Sequence, residues 1–142
     1  MAEKDSIVLT FDVDSDDFTR AGEASSRLKR TLKQMGLPPD IIRRISIVMY
    51  EGEINMVIHA HGGKITVTVD DDAVTMVLAD VGPGIPDVEK AMQAGWSTAS
   101  EAVRQQGSGA GMGLPNMKKN ADTLEIDTVV GVGTFVTAVV RL

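Results

Sequence analysis

A chain of 142 residues, 43% hydrophobic, is long enough to bury a single core unaided, and its lack of cysteine excludes a disulfide framework, a thiol nucleophile and a thiolate metal site together. The net charge of −6, from 14 basic and 20 acidic residues, argues against a nucleic-acid groove, which needs clustered Lys and Arg; RLKRTLK at 27–33 is the one basic cluster. With no apolar run of bilayer-spanning length, and no apolar leader with a cleavage site in MAEKDSIVLTF, the expectation is one cytoplasmic domain over 1–142 that engages neither membrane nor nucleic acid.

In chain order, Ile7 to Val13 reads as a short strand. The cluster DSDD then precedes apolar or small positions at Phe18, Ala21, Ser25, Leu28, Leu32 and Met35, spaced alternately by three and four, which predicts an amphipathic helix ended by Gly36. Pro38 and Pro39 forbid its continuation, and Asp40 lies near the start of a second, long and unusually apolar helix, IIRRISIVMYEGEINMVIHAH, closed by Gly62 and Gly63. KITVTV and VTMVLA alternate with period two across DDDA. They predict a hairpin with Ile65, Val67 and Val69 on one face and Val74, Met76 and Leu78 on one face of its partner. Aspartates suit such a tight turn, so Asp70 to Asp72 are assigned no metal. A third helix is expected to include Val88 to Met92. A glycine-rich loop follows, then a helix near Pro115 to Ala121 and two strands, TLEIDTVV and TFVTAVVRL, joined at GVG. There is no internal repeat and no linker.

Three constellations carry chemistry. On the second helix, Glu51 and Asn55 are four residues apart and share one face. An Asn amide oxygen is a neutral, hard ligand suited to Mg²⁺, and a carboxylate one turn away is placed to accept a proton; a solvated helix face would show the same pair. Asp80 closes an apolar strand, with Gly82 and Gly84 after it. A carboxylate there accepts a hydrogen bond from the exocyclic amine of adenine, and the glycines let backbone approach a ring, although a turn cap would also place Asp there. In GSGAGMGLPNMKK, glycines at 107, 109, 111 and 113 stand before a helical stretch, an arrangement that favours phosphate or serves as a flexible link. Neither G-x-x-x-x-G-K-[ST] nor G-x-G-x-x-G occurs.

Taken in order, Glu-x-x-x-Asn on a helix, Asp-x-Gly-x-Gly after a strand, a second glycine cluster and GVGT at 131–134 resemble the ATP-binding superfamily of gyrase, chaperone, histidine-kinase and mismatch-repair ATPases, called GHKL. The resemblance covers about residues 40 to 142. It implies an α/β (α+β) two-layer sandwich, a mixed, largely antiparallel sheet with helices on one face. ATP and Mg²⁺ would be the cofactors. Glu51 would be the catalytic base and Asn55 the Mg²⁺ ligand. Asp80 would read adenine with Gly82 and Gly84 beside it, residues 95 to 113 with Gly109, Gly111 and Gly113 would form the ATP lid, and Thr134 would lie near the adenine. Transducer domains and dimerising phospho-acceptor helices of other members do not fit in 142 residues. GPGIPDVEKAMQAGWSTAS and GAGMGLPNMKK look like the switch-type serine kinases of bacterial stress signalling, which phosphorylate small STAS-domain proteins. The implied function is therefore an ATP-dependent serine/threonine kinase acting on a STAS-domain partner. The alternative is a nucleotide-gated module that sequesters a sigma factor or other regulator. A homodimer is compatible with either. Two departures stand out: an extra lid segment, EAVRQQGS, and Glu53, a second carboxylate close to Glu51.

Overall fold

The computed structural model describes residues 6–14, 21–82, 84, 85, 88, 92 and 113–142. Their elements run β1 (Ile7–Val13), α1 (Glu23–Gln34), α2 (Pro39–His59), β2 (Gly63–Val69), β3 (Ala73–Val81), α3 (Gly113–Asn120), β4 (Thr123–Val129) and β5 (Gly133–Arg141). The strands form one sheet in the order β1-β2-β3-β5-β4. All four described ladders are antiparallel, so the sheet anticipated as mixed is uniform among the described residues.

The period-two alternation sets the register. Val67 pairs with Met76 and Ile65 with Leu78, so the β-branched and long apolar residues of both strands reach the same face. The turn between them is closed by the Asp70 carboxylate, whose Oδ1 accepts the N–H groups of Asp72 at 2.7 Å and Ala73 at 2.9 Å. Asp70 is thereby used as a turn residue. The buried face meets Leu28 and Leu32 of α1, Ile45, Val48, Met49 and Met56 of α2, and Met117 of α3, in a two-layer core.

Helix α1 begins at Glu23, and the expected start near Phe18 lies outside the described residues. Its N-cap is Gly22, which has no side chain to cap with. Glu53 of α2 supplies the missing acceptors: its Oε2 takes the Ala24 N–H at 3.1 Å, and its Oε1 takes the Ser25 N–H at 3.0 Å and the Ser25 hydroxyl at 2.7 Å. A buried carboxylate thus satisfies helix donors that would otherwise be stranded. Helix α2 starts on Pro38 and Pro39, a position where a missing N–H costs nothing. Of the helix expected at Val88 to Met92, the described part is one i to i−4 bond, from the Met92 N–H to the Val88 carbonyl at 3.0 Å.

Candidate functional site

The second half of α2 lies between α3 and the end of β3, and both contacts follow from small or polar residues. Arg44, Val48, Glu51 and Asn55, spaced by four, three and four, form a stripe along α2. At its lower end, Arg44 Nε donates to the Asn120 carbonyl at 3.0 Å and its guanidinium pairs with Asp122 at 3.2 Å, holding the C-terminal end of α3. At the upper end, a Cβ added to Gly113 would lie 2.9 Å from Asn55 Oδ1, so the glycine lets the start of α3 approach the amide without displacing it. Between them, the Asn116 side chain of α3 hydrogen-bonds the Glu51 carboxylate.

Two opposing effects act on Glu51. Partial burial raises its pKa above the ordinary value, and the Asn116 hydrogen bond lowers it by less. The net direction is upward. Glu53, the competing candidate, points to the other side of α2 and is committed to the N-terminus of α1.

The other half of the site is at the end of the sheet. Asp80 pairs with Thr134 across β3 and β5, and its Oδ1 accepts the Thr134 N–H at 2.9 Å. Burial raises the Asp80 pKa, with that hydrogen bond pulling the other way. Among the described residues no second hydrogen bond to this carboxylate is formed, which leaves Oδ2 as an acceptor. The Thr134 hydroxyl is buried and lies 2.9 Å from the Thr128 hydroxyl, which also accepts the Ile85 N–H at 2.9 Å. Gly84, at φ +76°, packs so closely on the β4–β5 turn that a Cβ would stand 2.7 Å from the Val129 carbonyl oxygen. Gly82 donates its N–H to Val132 at 3.1 Å, and the chain after α2 is tied to β3 by the His61 N–H to the Val81 carbonyl at 2.7 Å. These bonds set the C-terminal end of α2 against the end of β3.

The structure therefore brings Glu51, Asn55 and Gly113 together on one side and Asp80, Gly82, Gly84 and Thr134 on the other. Gly109, Gly111 and most of the lid at 95–113, with Trp96, lie outside the described residues. Lys118 and Lys119 are exposed on the last turn of α3, away from Gly113. Two residues escaped sequence reading. Asn116 is one of several polar residues on a short helix, and only packing aims it at Glu51. Thr128 was read simply as part of a strand, and only the pairing of β4 with β5 sets it opposite Thr134.

The histidine kinase-like ATPase domain family matches residues 15–140 of this arrangement. The chain belongs to that family. Among relatives of this ATPase domain, an anti-sigma F factor from Caldanaerobacter subterraneus subsp. tengcongensis is 37% identical over 100 residues, 67% of this chain and 66% of that protein. The serine/threonine-protein kinase RsbT of Bacillus subtilis is 31% identical over 121 residues, 82% of this chain and 85% of that one. The chain thus spans about two thirds of the first relative and most of the second. Among solved structures, the mycobacterial sensor histidine kinase MprB covers 95% of the chain at a TM-score of 0.53 and 18% identity, a likeness of fold. No helix among the described residues of this family member is long and apolar enough to cross a membrane.

Proposed function

We propose that this chain is an ATP-dependent serine/threonine protein kinase of the anti-sigma-factor and switch-kinase type, acting in the cytoplasm on a small STAS-domain partner. The observation that carries the reading is Glu51, a partly buried carboxylate oriented by Asn116 and one turn from Asn55, on the face of α2 that meets the start of α3. Family membership supports the ATP, and the kinase named RsbT supports the protein substrate.

Glu51 takes the proton of the partner's hydroxyl as its oxygen bonds to the γ-phosphorus. The bond from that phosphorus to the β–γ bridging oxygen breaks, and its electron pair leaves with ADP. Asp80 Oδ2 accepts from the adenine amine while Thr134 fixes the carboxylate through Oδ1. Gly82 and Gly84 let the backbone after β3 pack against Ala60 and the β4–β5 turn, which holds Asp80 at the end of the sheet. The backbone N–H of Gly113, at the start of α3, is assigned to the phosphates, the role that the resemblance also gives to Gly109 and Gly111. The neutral amide oxygen of Asn55, set at the start of α3, fits an ion that draws its other ligands from phosphates and water. Mg²⁺, when bound with the nucleotide, neutralises charge on the transferring group. A homodimer belongs to the same reading. It is supported by an exposed apolar cluster of Val81, Val129, Val130, Val132 and Phe135 on and beside the sheet face that no described helix covers, and light scattering measures it.

The test is transfer from γ-labelled ATP to the STAS-domain partner. Glu51→Gln keeps the shape and removes the proton acceptor, so ATP affinity stays within a few-fold while transfer falls by about 10² or more. Transfer at the wild-type rate removes Glu51 as base. A wild-type protein that binds ATP and partner and transfers nothing replaces the kinase with sequestration of a sigma factor or other regulator.

A further inference from the structure

A groove of about 600 Å³ runs between α1 and the first three turns of α2, and it ends at Glu51. Its rim carries Lys29 and Lys33 from α1 and Arg43 from α2, all exposed, with Ile47 in its wall and the exposed ring of Tyr50 beside Glu51. Among the described residues its charged lining is three cations and one carboxylate, and that carboxylate is Glu51 itself. On a chain of net charge −6, this local reversal of sign is set against the overall field.

We propose that this groove is the docking track for the protein substrate, and that it selects an extended acidic segment whose serine or threonine hydroxyl lies at Glu51. The inference rests on Glu51 being the base. From Arg43 to Glu51 the helix rises roughly 12 Å, the reach of about four extended residues. The acidic side chains are thus about four residues from the acceptor hydroxyl, opposite Arg43 and Lys33, with Lys29 nearer, across from Tyr50. Tyr50 supplies a rigid aromatic anchor beside the reacting hydroxyl, the kind of residue that concentrates binding energy. A polyanion such as single-stranded nucleic acid fits less well, because its backbone would bring phosphates against the Glu51 carboxylate.

The test uses fluorescein-labelled short serine peptides flanked on one side by Glu, Gln or Lys, made in both chain directions, and a single-stranded oligonucleotide as comparison. The wild type is expected to bind the Glu-flanked peptide at least about tenfold more tightly than the Gln-flanked one, with the difference shrinking as salt rises. In the triple variant Lys29→Glu, Lys33→Glu, Arg43→Glu, the preference should invert to the Lys-flanked peptide while ATP affinity, read separately, stays at the wild-type level. With the STAS-domain partner, the same variant raises KM by at least about tenfold with little change in kcat. Equal binding of Glu- and Gln-flanked peptides, no binding of the Glu-flanked one, tighter binding of the oligonucleotide, or a preference that survives the triple reversal each overturns the proposal. Transfer that persists with an unchanged KM in the triple variant leaves the kinase standing and removes the track. Acidic-peptide binding without transfer by the wild type removes the kinase, and with it the assignment of the bound peptide as substrate.

Discussion

At the scale of single residues, the proposed base is a carboxylate that the fold makes harder to ionise. Burial moves Glu51 above its ordinary 4.5, and the amide of Asn116 offsets only part of that shift. Transfer should therefore fall on acidification with a midpoint above 4.5, because only the ionised form accepts a proton. The linkage to stability has the opposite sense. The folded state binds this proton more tightly than the unfolded chain, so Glu51 weakens the fold above its folded pKa, and that penalty disappears as pH falls to the unfolded value. Glu51→Gln should accordingly melt above the wild type at pH 7 and converge with it near pH 4, as thermal melts across that range would show. A Gln variant less stable than wild type at neutral pH would mean that the carboxylate contributes contacts the burial argument omits.

Among elements, α2 is the scaffold, and its two faces have different tasks. One face sends Glu53 to the start of α1 and the other presents Glu51 and Asn55 to α3. Gly52 sits between them, buried against the sheet, where a Cβ would come within 2.2 Å of Leu78 Cδ2 and 3.2 Å of Met117 Cε. Alanine normally gains about 1 kcal/mol over glycine inside a helix. Here Leu78 is itself buried, and overpacking of about 1–3 kcal/mol works against that gain. Gly52→Ala should lower the urea midpoint at an unchanged m-value, and a rise in the midpoint would show that Leu78 has room to turn.

Across the whole molecule, the two halves of the candidate site belong to different layers: Asn55 and Gly113 to the helices, Asp80 and Thr134 to the sheet. A nucleotide held by both clamps one layer to the other. At about 100 times its dissociation constant, Mg·ATP should add roughly 2.7 kcal/mol of stability, a rise of several degrees in the melting midpoint of a chain this size. GTP at the same concentration should give a much smaller rise, because it does not offer the amine donor to Asp80 Oδ2. Asp80→Asn should lose most of the ATP-dependent shift. Equal shifts for ATP and GTP in the wild type would remove Asp80 as the adenine reader.

Much of this was legible in the linear order of residues. Alternation in KITVTV and VTMVLA determined the central hairpin, since a period of two fixes which side chains reach the core whatever else surrounds the strands. Glu51 and Asn55 were placed on one face by helical spacing alone, and the order of the glycine and aspartate motifs pointed to the family. The reading of Glu53 needed the tertiary fold. A carboxylate two residues from a candidate base is ambiguous until α1 is packed against α2 and its bare N-terminus is seen to need an acceptor. Asn116 and Thr128 were invisible for the same reason. Each is 65 or 6 residues from the partner it touches, on another element, and hydrogen bonds between elements leave no period in a sequence. The basic run at Lys29 to Lys33 was plain as composition, but only the antiparallel packing of α1 on α2 sets it beside Arg43 along a groove that ends at Glu51.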